Sequence, residues 1–111
     1  MAISALNSGL SALRAYDTAL SSSAFNTANA NTKGFQPQRV EFQEAVNGGV
    51  TVNLSQASRT LSQQTTASEE ASGTDLGTEI TTSLQYKIGF QLAAKIVQTS
   101  DEVLDSLLKL K

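Results

Sequence analysis

The first thirty residues carry apolar side chains at alternating spacings of three and four. This repeat predicts a helix that packs along another helix, because it gathers the apolar positions into one stripe. Asp17 is the one polar residue in the stripe. Small residues such as Gly9 and Ser23 flank it and would permit neighbouring elements to approach closely. The apolar members of the stripe are Ile3, Leu6, Leu10, Leu13, Leu20 and Ala24.

A turn is predicted where this first helix ends, between Asn29 and Gly34. Asparagine side chains can satisfy the free carbonyl groups of a helix end, and Gly34 can adopt the left-handed conformation of a C-cap. Phe35 would pack back as a hydrophobic closure, and Pro37 forbids continuation of the helix. We expect this turn to set the angle at which the following segment leaves the helix.

Two short alternating runs predict a β-hairpin in the middle of the chain. Val40 and Phe42 alternate with polar residues, residues 50–54 do the same, and Asn47-Gly48-Gly49 lies between the runs. Alternation on both sides of Asn-Gly is a strong hairpin signal. Because an isolated hairpin is marginal in water, it needs another element to lie on. The Ser/Thr/Gln-rich segment 55–74 is interpreted as a mobile or extended linker that partners order.

A second long helix is predicted from about residue 75 to the C-terminus. Asp75 or Thr78 can cap its start, Glu79 suits the positive end of its dipole, and Lys109 and Lys111 suit the negative end. Its apolar residues cover more than one stripe. A first helix of about 28 residues cannot cover both apolar faces of a helix about 50 Å long. The uncovered remainder predicts burial between molecules.

The predicted fold is mainly α. Two long terminal helices pair as an antiparallel coiled coil, with a short β-hairpin and a flexible linker between them. The organisation is an N-terminal helix with its end turn (1–34), a middle hairpin and linker (35–74) and a C-terminal helix (75–111). The two helices form one coiled-coil domain. The linker is also long enough to join a parallel pair.

Composition argues against catalysis and nucleic-acid binding. The 111 residues include no Cys and no His, which removes the commonest general base and two major metal ligands. The acidic pairs Glu69-Glu70 and Asp101-Glu102 are typical of solvated charges. Eight basic residues against ten acidic ones supply no basic face for nucleic acid. We therefore expect no catalytic, metal or cofactor site and no enzymatic activity.

Membrane insertion and secretion by a cleaved signal are also not expected. No segment approaches the roughly 20 apolar residues of a membrane span, and no secretory signal is recognisable at the N-terminus. Charged residues make up only 16% of the chain. An uncharged polar surface suits dense packing among like subunits, and it equally suits a partly disordered chain.

The segment 4–42 resembles the N-terminal signature of bacterial flagellar axial proteins, the rod and hook group. The hallmark Asn-(aliphatic)-Ala-Asn-x-x-Thr-x-Gly-(Phe/Tyr) departs here at Thr27, where the family carries an aliphatic residue. Residues 78–111 resemble the C-terminal helix of the same family, with Lys87-Ile88-Gly89 as a departure. The hallmark positions form the family motif turn: Asn26, Ala28, Asn29, Thr32, Gly34 and Phe35.

The resemblance implies a structural subunit of a tubular filament whose terminal helices pair and assemble. It implies export through the flagellar type III apparatus and a place in the basal body, in the periplasmic rod region. The implied partners are other axial proteins, copies of the same chain and the export apparatus. The short middle zone resembles a proximal rod subunit, whereas the C-terminal helix is closer to hook and distal rod proteins.

Two alternatives remain open from the sequence. The chain could be a junction or adaptor paralogue that never polymerises, or a secreted coiled-coil protein unrelated to flagella. The second alternative explains the helices but leaves the paired terminal motifs unexplained. For the subunit hypothesis we predict an assembly interface formed by apolar residues of both helices: Leu6, Leu10, Leu13, Leu20, Phe90, Ile96, Val97, Leu104 and Leu107.

Overall fold

The computed structural model describes residues 2–45, 48–55 and 72–110. Helix α1 spans Ala2–Ala28, strands β1 and β2 span Val40–Glu44 and Val50–Leu54, and helix α2 spans Leu76–Lys109. The prediction of a mainly α fold with two long helices and a short hairpin is confirmed. The predicted linker falls largely on residues 56–71, which lie outside the described residues.

The two helices pack side by side and run in opposite directions. Gly9 near the start of α1 lies against Val97, Tyr16 lies against Gly89, and Ser23 hydrogen-bonds Ser83 at 2.6 Å. Residue numbers therefore fall along α2 as they rise along α1. The described parts form a long, thin body whose principal extents are 68, 26 and 15 Å.

Small residues, rather than leucines, form the contact between the helices. Ala19, Ser23 and Ala93 are buried, whereas Ile3 and Leu10 in the predicted apolar stripe are exposed. The buried Ala19 and Ser23 each come one residue before a member of the predicted apolar stripe. One residue is a rotation of about 100° around a helix. Small side chains let the helix backbones approach closely. These small residues of α1 therefore face α2, and the large apolar residues lie at the edge of the helix contact or on the outer surface.

The hairpin lies on α1, as an unsupported hairpin requires. The predicted hairpin is present, and its antiparallel register pairs Val40 with Leu54, Phe42 with Val52 and Glu44 with Val50. This register places the apolar side chains on one face of the two-stranded sheet. Gly48 in the connecting turn has a φ of +77°, a left-handed conformation that favours glycine.

Helix α2 has the end signals that the sequence predicts. The Asp75 side chain caps its start and accepts a hydrogen bond from the Thr78 N–H at 3.3 Å. Lys109 in the last turn forms an ion pair with Asp105 at 3.0 Å, on the exposed surface. Among the described residues, neither helix combines the length and apolar character needed to cross a membrane.

Candidate assembly interface

The turn after α1 closes on itself through the family motif residues. Asn29 donates from its side chain to the Phe25 carbonyl at 2.9 Å, and so satisfies a free carbonyl of the helix end. Thr32 donates to the Asn29 side-chain oxygen at 3.1 Å. Gly34 has a φ of +74°, which explains why glycine suits this position. The buried Phe35 ring then packs edge-on against Phe25, with 5.5 Å between ring centres.

Asn26 joins three separate segments of the chain. Its side-chain oxygen accepts the Gln38 N–H at 2.7 Å, and its side-chain nitrogen donates to the Gln38 carbonyl and to Glu79 Oε1, each at 2.9 Å. Its own carbonyl accepts the Thr74 hydroxyl at 3.2 Å. With only 2% of its surface exposed, Asn26 has a hydrogen bond from every polar group of its side chain. The Asn26 side chain therefore does not cap the helix but joins α1 to the hairpin base and to α2, whereas Asn29 satisfies a carbonyl of the helix end.

A polar layer surrounds this junction and ties α1 to the first turns of α2. The buried Ser23 hydroxyl lies 2.7 Å from Glu79 Oε2 and 2.6 Å from the Ser83 hydroxyl. Ser22 donates to the Gln38 side-chain oxygen at 2.9 Å. Partial burial raises the pKa of the nearby Tyr86 phenol, and the negative charge of Glu79 raises it further.

An aromatic cluster links the hairpin to both helices. The Tyr16 ring lies 5.2 Å from the Phe42 ring and 6.5 Å from the Tyr86 ring, and Phe42 and Tyr86 are 5.8 Å apart. Tyr16 also rests on the backbone of α2 at Gly89. A Cβ atom built at Gly89 would overlap Cε1 and Cζ of the ring, so only glycine leaves room for it there.

The tip of the hairpin is held near the start of α1 by two serines. The Ser11 hydroxyl donates to the Val50 carbonyl at 2.7 Å and accepts the Val50 N–H at 2.6 Å. Ser8 donates to the Gly48 carbonyl at 3.3 Å. The hairpin is thus attached at its tip by Ser8 and Ser11, at its centre by the aromatic cluster, and at its base by Asn26 through Gln38.

Large apolar side chains lie on the outside of α2 in a row with a spacing of four residues. We call this the outer row, and about half of the surface of each member is exposed. Its last members border an open apolar groove of about 570 Å³, which is also lined by Ala5 of α1 and Val103. Further exposed leucines follow near the C-terminal end, where Leu110 is 81% exposed. The outer row consists of Leu76, Ile80, Leu84, Ile88, Leu92 and Ile96.

The residues predicted from the sequence for the assembly interface fall into three groups. Leu10, Phe90, Ile96 and Leu107 are exposed. Val97 is half-buried and lies against Gly9, so part of its surface serves the internal contact. The remaining four are half-buried: Leu6, Leu13, Leu20 and Leu104. In the motif turn, Ala28 and Thr32 are exposed.

Several residues that build this geometry were not singled out from the sequence. Ser11 and Gln38 had no signal beyond being polar, since their roles depend on where the hairpin lies. Gly89 did carry a signal, because glycine in the middle of a long helix costs about 1 kcal/mol relative to alanine. A glycine in the middle of a helix therefore indicates a close packing contact, and here that contact is the Tyr16 ring.

The described surfaces combine exposed apolar side chains with polar side chains that are paired internally. In residues 2–45, 48–55 and 72–110, no group of three or more acidic residues is placed to hold a metal ion. The polar layer around Asn26 and Glu79 is occupied with internal hydrogen bonds. What the described surface offers to another molecule is exposed apolar area on two long helices.

A comparison with known protein families gives a match for the C-terminal part of the chain. Residues 63–110, which include all of α2, match the family model described as flagellar basal body rod FlgEFG protein C-terminal. A search of curated proteins found no significant match. The match covers 48 of the 111 residues, and it agrees with the resemblance of residues 78–111 to the flagellar rod and hook family. It supports a structural role in the axial part of the flagellum, located at the basal body with other axial components.

Proposed function

We propose that the chain is a rod-type subunit that assembles through the outward apolar surfaces of its two helices. The observation that carries this proposal is the placement of side chains by size. Small residues such as Ala19 and Ala93 fill the internal contact, whereas Leu92 is 61% exposed. A protein that functions alone gains nothing from this arrangement, because exposed apolar patches of this extent mark interaction sites.

Burial of the outer row would favour assembly by several kcal/mol. Full burial of a leucine or isoleucine side chain contributes about 1.5–3 kcal/mol. Since about half of each side chain in the outer row is already covered, removing the rest from water contributes about 1 kcal/mol per residue. A neighbour that covers this row would gain several kcal/mol before the cost of association.

Rod placement and export are further parts of the proposal. The short hairpin region between the helices resembles a proximal rod subunit, since hook and distal rod subunits carry larger middle domains. As a rod subunit, the chain would pass through the flagellar type III apparatus and assemble in the periplasm. Its partners would be neighbouring axial proteins and copies of itself.

A substitution in the outer row tests the proposal. Leu92→Glu puts a charge on a side chain that the internal contact does not use, so we expect the chain to fold normally but fail to incorporate. Gln91→Glu is the matched control, because it adds the same charge to an exposed polar position on the same helix. Each variant replaces the natural gene, and swimming, basal bodies by electron microscopy and helix content by circular dichroism are measured.

We expect non-motile cells with truncated rods for Leu92→Glu and normal motility for Gln91→Glu, with equal helix content in both purified chains. Normal rods built from the Leu92→Glu chain would contradict the use of this surface. Deletion of the gene gives the wider test, since intact basal bodies in swimming cells would reject an essential axial role.

The second candidate is a junction or adaptor that is present in few copies. It uses the same exposed surface to bind a different axial protein. Sedimentation of the purified chain over a range of concentrations separates the two functions. Growth into polymers supports the rod subunit, and a monomer or small oligomer at all concentrations supports the adaptor.

A further inference from the structure

Two side chains of α1 occupy opposite edges of the hairpin. In an antiparallel pair, alternate residues direct their backbone groups to the partner strand and the others direct them outward. The bonds from Ser55 N to the Arg39 carbonyl, 3.0 Å, and from Ala45 N to the Gly49 carbonyl, 2.7 Å, show that odd-numbered residues face inward. Even-numbered residues, including Gln38 and Val50, therefore present their N–H and C=O groups at the outer edges.

At both Gln38 and Val50, a single side chain of α1 bonds the backbone N–H and the backbone C=O, as a residue of a third strand would. At the tip, Ser11 accepts the Val50 N–H at 2.6 Å and donates to the Val50 carbonyl at 2.7 Å. At the base, Asn26 accepts the Gln38 N–H at 2.7 Å and donates to the Gln38 carbonyl at 2.9 Å. We call these the tip clamp and the base clamp.

The two clamps differ in their relation to α2. The second N–H of the Asn26 amide donates to Glu79 Oε1 at 2.9 Å, and Asn26 is almost fully buried. A flipped amide would turn its oxygen toward both the Gln38 carbonyl and the Glu79 carboxylate, so Glu79 helps to fix the orientation that the base clamp needs. In the described residues, both hydrogen bonds of the Ser11 hydroxyl are to Val50, so the tip clamp involves α1 and the hairpin and does not involve α2.

We propose that Asn26 couples docking of the hairpin base to pairing of the helices. When α1 and α2 separate, Asn26 loses the Glu79 carboxylate that helps to fix its amide orientation, and water gains access to the amide and competes for the base clamp. The tip clamp keeps all of its partners in that event. The coupling is a property of the single chain and does not depend on the axial role, so either idea can fail without the other.

Hydrogen exchange of backbone amides in the full chain, followed by NMR, tests the coupling. In Glu79→Leu we expect the Gln38 N–H to exchange about tenfold faster relative to the Ala93 N–H in the helix contact. The Val50 N–H should change less than threefold on the same scale. Ser83→Ala is the matched control, because it removes the other α2 partner of Ser23 and leaves Asn26 untouched. It should leave the ratio of Gln38 to Ala93 exchange within about twofold of wild type.

Two results would overturn the proposal. One is a ratio of Gln38 to Ala93 exchange rates that is the same in Glu79→Leu as in Ser83→Ala. The other comes from Ser11→Ala, which leaves the helix contact intact and stays informative even if Glu79→Leu does not fold. We expect Ser11→Ala to accelerate exchange at Val50 at least five times more than at Gln38. Equal acceleration at both residues would mean that the hairpin docks as one unit and that α2 has no separate control of its base.

Discussion

Replacing Gly89 by alanine should destabilise the protein, although the same change stabilises most helices. Glycine to alanine in an open helix position gains about 1 kcal/mol. At Gly89 the new Cβ would overlap two ring atoms of Tyr16 and lie 2.9 Å from a third, Cδ1. The ring cannot bend away as a flexible chain end can, because Phe42 and Tyr86 pack around it.

The expected magnitude follows from what the ring must give up. Displacing Tyr16 weakens two aromatic pairs, which contribute about 0.5–1.5 kcal/mol each, and overpacking of this kind costs about 1–3 kcal/mol. Because the pairs are weakened and not lost, these costs should total about 2–3 kcal/mol. After the gain of about 1 kcal/mol in helix propensity, the net loss should be about 1–2 kcal/mol. With a urea m-value of about 1–2 kcal/mol/M, the midpoint of unfolding should fall by about 1 M.

Urea unfolding followed by circular dichroism measures this loss, and two comparisons isolate its cause. Gly77→Ala is the control in the same helix, because its Cβ would meet only Asp75 Oδ1, at an ordinary 3.4 Å. That variant should be neutral or slightly more stable. In a Tyr16→Leu background, Gly89→Ala should cost less than about 0.5 kcal/mol, because a flexible side chain can yield. A rise of the midpoint in Gly89→Ala alone would refute the packing argument.

Two further predictions concern the turn and the polar layer. Gly34→Val should lower the free energy of unfolding by about 1–2 kcal/mol, since Gly34 has a φ of +74° and a β-branched residue is strained there. Gly34→Asn should lower it less, as measured by urea unfolding. Equal losses in the two variants would refute the backbone explanation. The pKa of Tyr86 is raised above 10.0 in the folded chain, so the unfolded chain loses this proton first as the pH rises. Stability should therefore fall above about pH 10. The fall should be smaller in Tyr86→Phe, and an equal fall in both chains would contradict the shift.

The hairpin and the start of α2 could be predicted because their signals are local. Two alternating runs close together in the chain predict the pairing of the strands that hold Phe42 and Val52, and Asp75 needs only the next turn of helix to act as a cap. Such signals depend on residues a few positions apart in the chain. They can therefore be interpreted without knowing the tertiary contacts of the molecule.

The side of α1 that faces α2 could not be predicted from hydrophobic periodicity. Hydrophobic periodicity gives most weight to large apolar residues. In α1 those residues lie at the edge of the contact with α2 or on the outer surface. The residues of α1 that face α2 also alternate in spacings of three and four, and all but the last come one residue before a position of the predicted apolar stripe. Because most of them are small or polar, they add little to a hydrophobic pattern. These residues are Gly9, Ala12, Tyr16, Ala19, Ser23 and Asn26.

The roles of Asn26 and Ser11 could be predicted only in part. The sequence placed Asn26 in a motif turn and indicated a helix end. Its bonds to Gln38 and Glu79 depend on segments that are 12 and 53 residues away along the chain. Long-range hydrogen bonds of this kind require the fold to be known first, so the pairing of hairpin edges by helix side chains is visible only in the structure.

The four-residue spacing of the outer row limits the direction in which a neighbouring helix can lie. Four residues turn an α-helix by about 400°, so each step from Ile80 to Ile96 moves the row about 40° around α2. A straight helix parallel to α2 would meet only two or three members before the row turned away from it. A helix that crosses α2 obliquely, near the roughly 50° at which rows of this spacing interlock, can follow the row further. Neighbours in an assembly built on this surface would therefore wrap across one another and would not stack as parallel rods.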